Sequence, residues 1–358
     1  MTPTLLFVCF VLYVVRMFAV TAGYHRYFSH RAFKTSRLAQ FLLAVAAQTS
    51  AHRGIVWWAA KHRAHHKYSD TPQDPHSPRQ RGFLFAHLSW IFVPNTSEAD
   101  YTFVPDLVRY PELMWLDQHK YLPAIILGVM VWLLGGWTGL VAFFISTVIL
   151  WHCTFAINSL AHVVGKKRYV TGDDSRNNWW LALITLGEGW HNNHHHFQSS
   201  TRQGFFWWEV DITFYVLRFL AMLRIVWDLQ YPTAAIVRGT QRLSRTVVET
   251  VANQLAWSFP IEKISQQLRD TWVHTPSCFE DIRKRVRAAR WQAEALLAEA
   301  SLPQIPSLDE LKQRAREMFV HTPRLDDIAD RAREILLQAL LARLFDEPLQ
   351  LAPNKIID

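Results

Sequence analysis

The sequence predicts an all-α integral membrane protein: a helical bundle of about three spans with interfacial helices, a helical cap on one membrane face, and a C-terminal helical extension. Three observations carry that reading. Half of the 358 residues are hydrophobic and only 19% are charged, below the roughly 25% usual for soluble chains. The 16 Trp, 22 Phe and 10 Tyr suit the lipid–water boundary, where aromatic rings place an apolar body and a polar edge. Apolar runs of span length are separated by histidine-rich segments at helical spacing.

The net charge of +8 then points to anionic lipid headgroups. Nucleic acid is not an expected partner, because the chain has neither zinc-finger spacing nor a basic helix with a base-reading face. Cys9, Cys153 and Cys278 are widely separated, which excludes a disulfide framework or an iron–sulfur cluster.

Residues 5–22, LLFVCFVLYVVRMFAVTA, are apolar apart from Arg16 and a threonine, and long enough for one span. A signal peptide is the rival reading, but no basic segment precedes the run and no cleavage site follows it before His25. The next run, 38–51, is short and contains Gln40 and Gln48, so an interfacial or partly inserted helix is expected. Residues 121–136 and 139–160 predict a hairpin of two spans turning at Gly135-Gly136-Trp137-Thr138-Gly139. The run 205–227 carries Glu209, Asp211, Arg218 and Arg224 and reads as one amphipathic, interfacial helix. Basic residues at Arg26, Arg31, Lys34 and Arg37, at Lys61, Arg63 and Lys67, and at Lys166, Lys167 and Arg168 flank span ends on one side. The positive-inside rule makes that side cytoplasmic.

Histidines cluster on the same side. HRYFSH gives His25 and His30, HRAHH gives His62, His65 and His66, and HNNHHH gives His191, His194, His195 and the spare His196. Positions i, i+3 and i+4 share a helix face, so each HxxHH triplet is expected to aim three imidazoles at one point. Positions i and i+5 diverge on an α-helix, so a helix end is expected between His25 and His30. NSLAH adds Asn158 and His162, four apart at the end of the last span. An even number of spans between clusters returns them all to one face. Nine imidazoles exceed what one ion takes, whereas two ions would use four or five each; such sites suit iron, copper or zinc. His52, His76, His87, His119 and His152 have no partner pattern, and His152, inside an apolar run, reads as a satisfied core histidine.

HRYFSH, HRAHH and HNNHH, with NSLAH before the last, closely resemble the histidine boxes of membrane acyl-CoA delta-9 desaturases. The flanking text TAGYHRYFSHRAFKTSR, WWAAKHRAHHKYSDTPQDPHSPRQRGFLFAHLSWI and GEGWHNNHHHF matches in style, and the likeness covers roughly 5–230. The resemblance implies two iron ions, O2 as co-substrate, two electrons per turnover, and a cis double bond at carbon 9 of a saturated acyl chain. It implies His25, His30, His62, His65, His66, His162, His191, His194 and His195 as metal ligands, with Asn158 approaching one ion through water. Carboxylates are expected to hold the outer N–H of the imidazoles; Asp70, Asp74, Asp173, Asp174 and Glu188 are near enough in sequence. Trp58 and Trp190, beside the boxes, are candidates for the wall of an acyl tunnel or for interfacial anchors. Bacterial origin is expected from the wording around the boxes, and with it the bacterial inner membrane.

This sequence departs from the family in three places. The family core has two spans ahead of its first box and this chain has one, so either its start is displaced or one hairpin partner is absent. Pro94-Asn95-Thr96-Ser97 follows HLSWIFV where animal acyl-CoA members carry basic residues; the acyl carrier is therefore open between CoA, acyl carrier protein and an intact lipid. No haem or iron–sulfur motif is present, so electrons are expected from a separate donor: a ferredoxin, a cytochrome b5-like protein or a reductase. Residues 1–234 form the expected membrane core. Residues 235–358, richer in Arg, Glu and Gln, read as a helical cytoplasmic extension with a weak two-unit repeat around VHTP at 260–289 and 306–334. The rival readings are a lipid or alkane hydroxylase of the same chemistry and a membrane metal transporter. The transporter would need polar ligands within its spans, whereas these histidines lie beyond span ends.

Overall fold

A computed structural model describes residues 2–93, 98–241, 243–273, 305–318 and 325–344. The chain is mostly helical and forms two compact units, Met1–Arg238 and Gly239–Asp358. Cys278, the segment Pro94–Ser97 and both VHTP turns lie in whole or part outside the described residues.

In the first unit, α1 (Pro3–Phe18) begins with Pro3 in its first turn and Thr2 accepting from the Leu5 amide. It does not stop where the apolar run ends. The helix continues through Ala19–Ser29 in π winding, and Pro3–Ser29 as a whole is long and apolar enough to cross a membrane. Arg16 is buried inside it. Its guanidinium donates to the hydroxyls of Ser146 and Thr147 and to the Leu12 and Phe143 carbonyls, with no carboxylate among the described partners.

α2 (Arg37–Gln48) starts at the Ser36 cap. It exposes Leu38 and Leu42 and buries Ala44 and Ala47, as an interfacial helix should. Its glutamines turn inward: the Tyr27 hydroxyl donates to Gln40, and Gln48 donates to the Leu116 and Lys120 carbonyls. Packing against the π segment is close, because a Cβ on Gly23 would lie 3.2 Å from Ala47 Cβ. α3 (Ile55–Tyr68) has a glycine, Gly54, at its N-cap, and its first amides are capped from elsewhere. Gln48 accepts from Ile55 N, and Asp117 of α4 (Pro111–Gln118) accepts from Val56 N and Trp57 N.

α5 (Leu122–Ser159) is two helices meeting at Gly136, whose φ of 57° breaks the winding. The arms fold back on each other: a Cβ on Gly139 would fall 2.5 Å from the Val131 carbonyl oxygen, and one on Gly128 would lie 3.4 Å from the Phe143 ring. The expected hairpin therefore forms, with a first arm of 122–135 that is short for a span at about 1.5 Å per residue. The run 205–227 is not one helix. Only α8 (Ile212–Met222) forms there; α6 (Trp179–Ile184) and α7 (His191–His196) precede it. Glu209 and Asp211 are buried ion-pair partners rather than members of a polar face. β1 (Lys34–Thr35) and β2 (Val226–Trp227) pair antiparallel.

The second unit contains α9 (Arg245–Trp257), α10 (Ile261–Val273), α11 (Leu308–Met318) and α12 (Leu325–Leu344). Their buried residues, among them Val251, Leu255, Leu268, Leu311, Ile328 and Leu336, recur at helical spacing and form its core.

Candidate metal centre

Nine histidines converge into two groups. His25, His30, His62, His66 and His194 form one, and His65, His162, His191 and His195 the other; within each, the ligand atoms lie within 4.8 Å of one another. The HxxHH triplets do not aim at one point as the spacing suggested. In α3, His62 and His66, four apart, face the five-histidine group while His65 faces the other. In α7 the division is reversed, with His191 and His195 together and His194 opposite. Each triplet therefore bridges both groups.

His25 and His30 share a side for a reason the α-helical expectation missed. In π winding the hydrogen bond runs from i to i+5, and the His30 amide donates to the His25 carbonyl at 3.3 Å. The helix ends at Ser29 with His30 as its cap, and the wider turn brings the two imidazoles together, their centroids 4.9 Å apart. His162 arrives on the 3₁₀ turn that follows α5. Asn158 is half-buried in the last turn of α5, four residues before it.

The tautomers follow from the outer partners. Nδ1 of His65 donates to Asp74 at 3.0 Å, that of His162 to Asp70 at 2.9 Å, and that of His195 to Asp173 at 2.6 Å. His25 Nδ1 donates to Glu188. Asp174 instead pairs with Lys167 and Arg79. A neutral imidazole has one proton, so in these four residues Nε2 keeps a bare lone pair. The Nε2 atoms face one another: His25–His194 at 3.0 Å, His30–His62, His62–His66 and His66–His194 at 2.9 Å, and His162–His191 at 3.1 Å. His195 Nε2 is buried without a hydrogen-bond partner. In the four-histidine group three bare lone pairs, on His65, His162 and His195, converge with at most the one proton of His191 between them, and a cation removes that repulsion. The donor set fits a transition-metal site.

Electrostatics keep the donors ready. Burial, followed by the neighbouring histidines, pushes His30, His62, His66, His191 and His194 well below the usual imidazole range. They are therefore unprotonated near neutral pH. Burial would raise Asp70 and Asp173, but the imidazoles of His162 and His195 hold both below the usual carboxylate range. Burial likewise would raise Glu188, and His25 and Arg26 keep it low.

Several residues that build the site were not legible as such. Arg26 and Arg63, read as part of the basic flank of the span ends, point inward. Arg26 is 1% exposed and bonds Glu188 at 3.0 Å and Asp211 at 2.9 Å; Arg63 holds Asp106 and the Phe28 and Ser29 carbonyls. Gln203 Nε2 lies 3.3 Å from His25 Nδ1 and 3.5 Å from His194 Nδ1 while its oxygen has no partner. Flipping the amide puts the oxygen where His194 Nδ1–H can donate to it, the tautomer a ligating Nε2 requires. Trp58 stacks on His62 at 4.9 Å and meets His25 edge-on at 6.3 Å, so it forms a wall of the five-histidine group. Trp190 is buried and donates to the Val210 carbonyl, which excludes an interfacial anchor there. His196 stacks on Tyr169. His76 lies against His65 and Asp74. His152 is not a core histidine; it is exposed and pairs with His87 at 3.0 Å.

Residues 2–221 match the family described as Fatty acid desaturase. The chain is 35% identical over 210 residues to an sn-2 palmitoyl-lipid 9-desaturase of Nostoc sp. (strain 36), covering 57% of this chain and 73% of that protein. It is 37% identical over 233 residues to a chloroplastic palmitoyl-monogalactosyldiacylglycerol delta-7 desaturase of Arabidopsis thaliana, covering 64% and 62%. It is 36% identical over 235 residues to an acyl-CoA C20 delta-5 desaturase of Anemone leveillei, covering 63% and 74%. The chain belongs to the fatty acid desaturase family, and is thereby a membrane-associated oxidoreductase with histidine clusters compatible with metal.

Proposed function

We propose that this desaturase inserts a cis double bond at carbon 9 of a saturated fatty acyl chain, using a nonhaem centre of two iron ions held by His25, His30, His62, His66 and His194 on one side and His65, His162, His191 and His195 on the other. The observation that carries the reading is the pair of converging imidazole groups, four of whose outer nitrogens are tied to buried carboxylates. Asn158 is the candidate for a water-mediated contact beside His162. The balance is one saturated chain, O2, two electrons and two protons giving one alkene and two waters. Iron supplies the oxidant that an unactivated methylene C–H bond requires. The protein's own residues do the rest: Asp70, Asp74, Asp173 and Glu188 fix the imidazole tautomers, and Trp58 presents an apolar face beside them along which a chain can lie.

The proposal covers a CoA-linked or a lipid-linked acyl chain, because relatives named for either carrier match the chain at the same 35–37% identity. Electrons come from a separate donor such as a ferredoxin. The exposed basic residues Lys34, Arg37, Lys67 and Lys166 support a cytoplasmic histidine face, and the inner membrane of a bacterium is the proposed location.

Lipid analysis of cells expressing the chain, beside His194→Ala, tests this. A cis-9 monounsaturated chain made only by the parent is expected. A hydroxylated chain with no alkene would favour the hydroxylase reading; metal flux into vesicles without lipid oxidation would favour a transporter. A double bond at another carbon refutes the assigned position alone.

A further inference from the structure

The two histidine groups are electrostatically unlike. In the four-histidine group, three imidazoles are backed by carboxylates: His65 by Asp74, His162 by Asp70 and His195 by Asp173. None of those carboxylates has a guanidinium or ammonium partner among the described residues; their other bonds come from backbone amides, hydroxyls and His76, as from Ser77 to Asp70 and Ser175 to Asp173. In the five-histidine group only His25 is carboxylate-backed, and its Glu188 shares the buried Arg26 guanidinium with Asp211, which offsets part of its charge. No described carboxylate reaches Nδ1 of His30, His62, His66 or His194.

We infer that the two groups bind divalent metal unequally, the four-histidine group filling first and at least about ten-fold more tightly. An outer carboxylate makes its imidazole a stronger donor and places negative charge near the ion, and losing one such partner typically costs about 10–100-fold in affinity. The four-histidine group has three uncompensated partners; the other has a single, partly compensated one. The fifth imidazole offsets part of that difference without adding charge. Asp70, Asp74 and Asp173 are thus positioning residues that set the order of filling. The inference rests on the metal-centre reading above, not on the reaction assigned to it.

The test is titration of the metal-free full-length protein in detergent with Co2+ alone, followed by visible absorption and by equilibrium dialysis with metal analysis. Two steps are expected. His191→Gln should remove the tight step and His30→Gln the weak one. Asp173→Asn should weaken the tight step by about 10–100-fold and leave the weak step in place. A single step for both ions, loss of the tight step in His30→Gln, or an unmoved tight step in Asp173→Asn overturns the inference. Should Asp173→Asn fail to fold, judged by helicity and elution volume, the two histidine variants decide the order by themselves. A protein that fills in this order yet makes no alkene refutes the proposed reaction and keeps this inference; one that makes alkene with equal sites does the reverse.

Discussion

The helix that presents HRAHH depends on a cap borrowed from another element. Asp117 Oδ1 accepts from Val56 N at 2.8 Å and Trp57 N at 3.0 Å, and Oδ2 accepts from the Tyr101 hydroxyl at 2.9 Å. Gly54 leaves room for it, because a Cβ there would sit 2.0 Å from Oδ1. Asp117→Ala removes the acceptor of two helix N-terminal amides, one of them on buried Val56. Each amide left unsatisfied costs about 1–3 kcal/mol if buried, and losing the negative charge at a helix N-terminus costs about 0.3–1 kcal/mol more. Together about 3 kcal/mol is expected, a fall in unfolding midpoint of about 6–12 °C for a domain of this size. Asp117→Asn keeps an oxygen for the amides and loses mainly the charge, so about 1 kcal/mol is expected. The assay is thermal unfolding of purified protein in detergent, with bound metal measured alongside, since His62, His65 and His66 ride on this helix. A midpoint for Asp117→Ala within about 1 °C of the parent, or Asn as harmful as Ala, would refute the capping argument.

Three further outcomes follow from the same geometry. Arg16→Met should be neutral or stabilising by up to about 2 kcal/mol, because a buried charge without a carboxylate is removed; the Ser146 and Thr147 hydroxyls keep their bonds to Ala142 and Phe143 carbonyls. A lower unfolding midpoint for Arg16→Met would show that the guanidinium stabilises the bundle. Gly189→Ala should destabilise the turn before α7 and lower metal retention, since its Cβ would fall 2.0 Å from the Ala182 amide nitrogen; unchanged metal content would count against it. Metal-free protein should lose stability steeply as pH falls from about 6.5. His30, His62, His66, His191 and His194 have depressed values in the fold, so below their unfolded value the unfolded chain binds more protons, at up to about 1.4 kcal/mol per pH unit each. Burial would lower His65, but Asp74 with Asp70 and Asp173 raises it overall, so it works in the opposite direction. Asp70 and Asp173, depressed in the fold, add stability that is lost only below about pH 4. A flat midpoint between pH 7 and 5 would contradict the burial of neutral imidazoles.

What could be read in advance is what periodicity and local chemistry encode. The hairpin of α5 was visible because glycines mark a reversal between apolar runs, and the histidine segments were visible because i, i+3 and i+4 share a helix face. The same rule misled for the triplets. An α-helical count lets each HxxHH triplet aim at one point, whereas two neighbouring groups of ligand atoms divide it as i and i+4 against i+3. At HRYFSH the helix does end between the two histidines, at Ser29, but its last turns change to π winding, so that residues five apart align. Nothing local distinguishes those outcomes, because the choice is made by the convergence of α3 and α7 on the same volume.

The inward turn of Arg26 shows the limit most clearly. In sequence it is one basic residue among several at a span end, and a charge there belongs by default in the headgroup layer. Burying it is tolerable only if carboxylates meet it, and those come from Glu188 and Asp211, more than 160 residues away. Glu188 in turn has its second oxygen on His25. One guanidinium therefore determines how much negative charge His25 receives, and it does so from the position next to that ligand in the chain. The residue that offsets the carboxylate behind His25 is thus one whose neighbours in sequence say least about it.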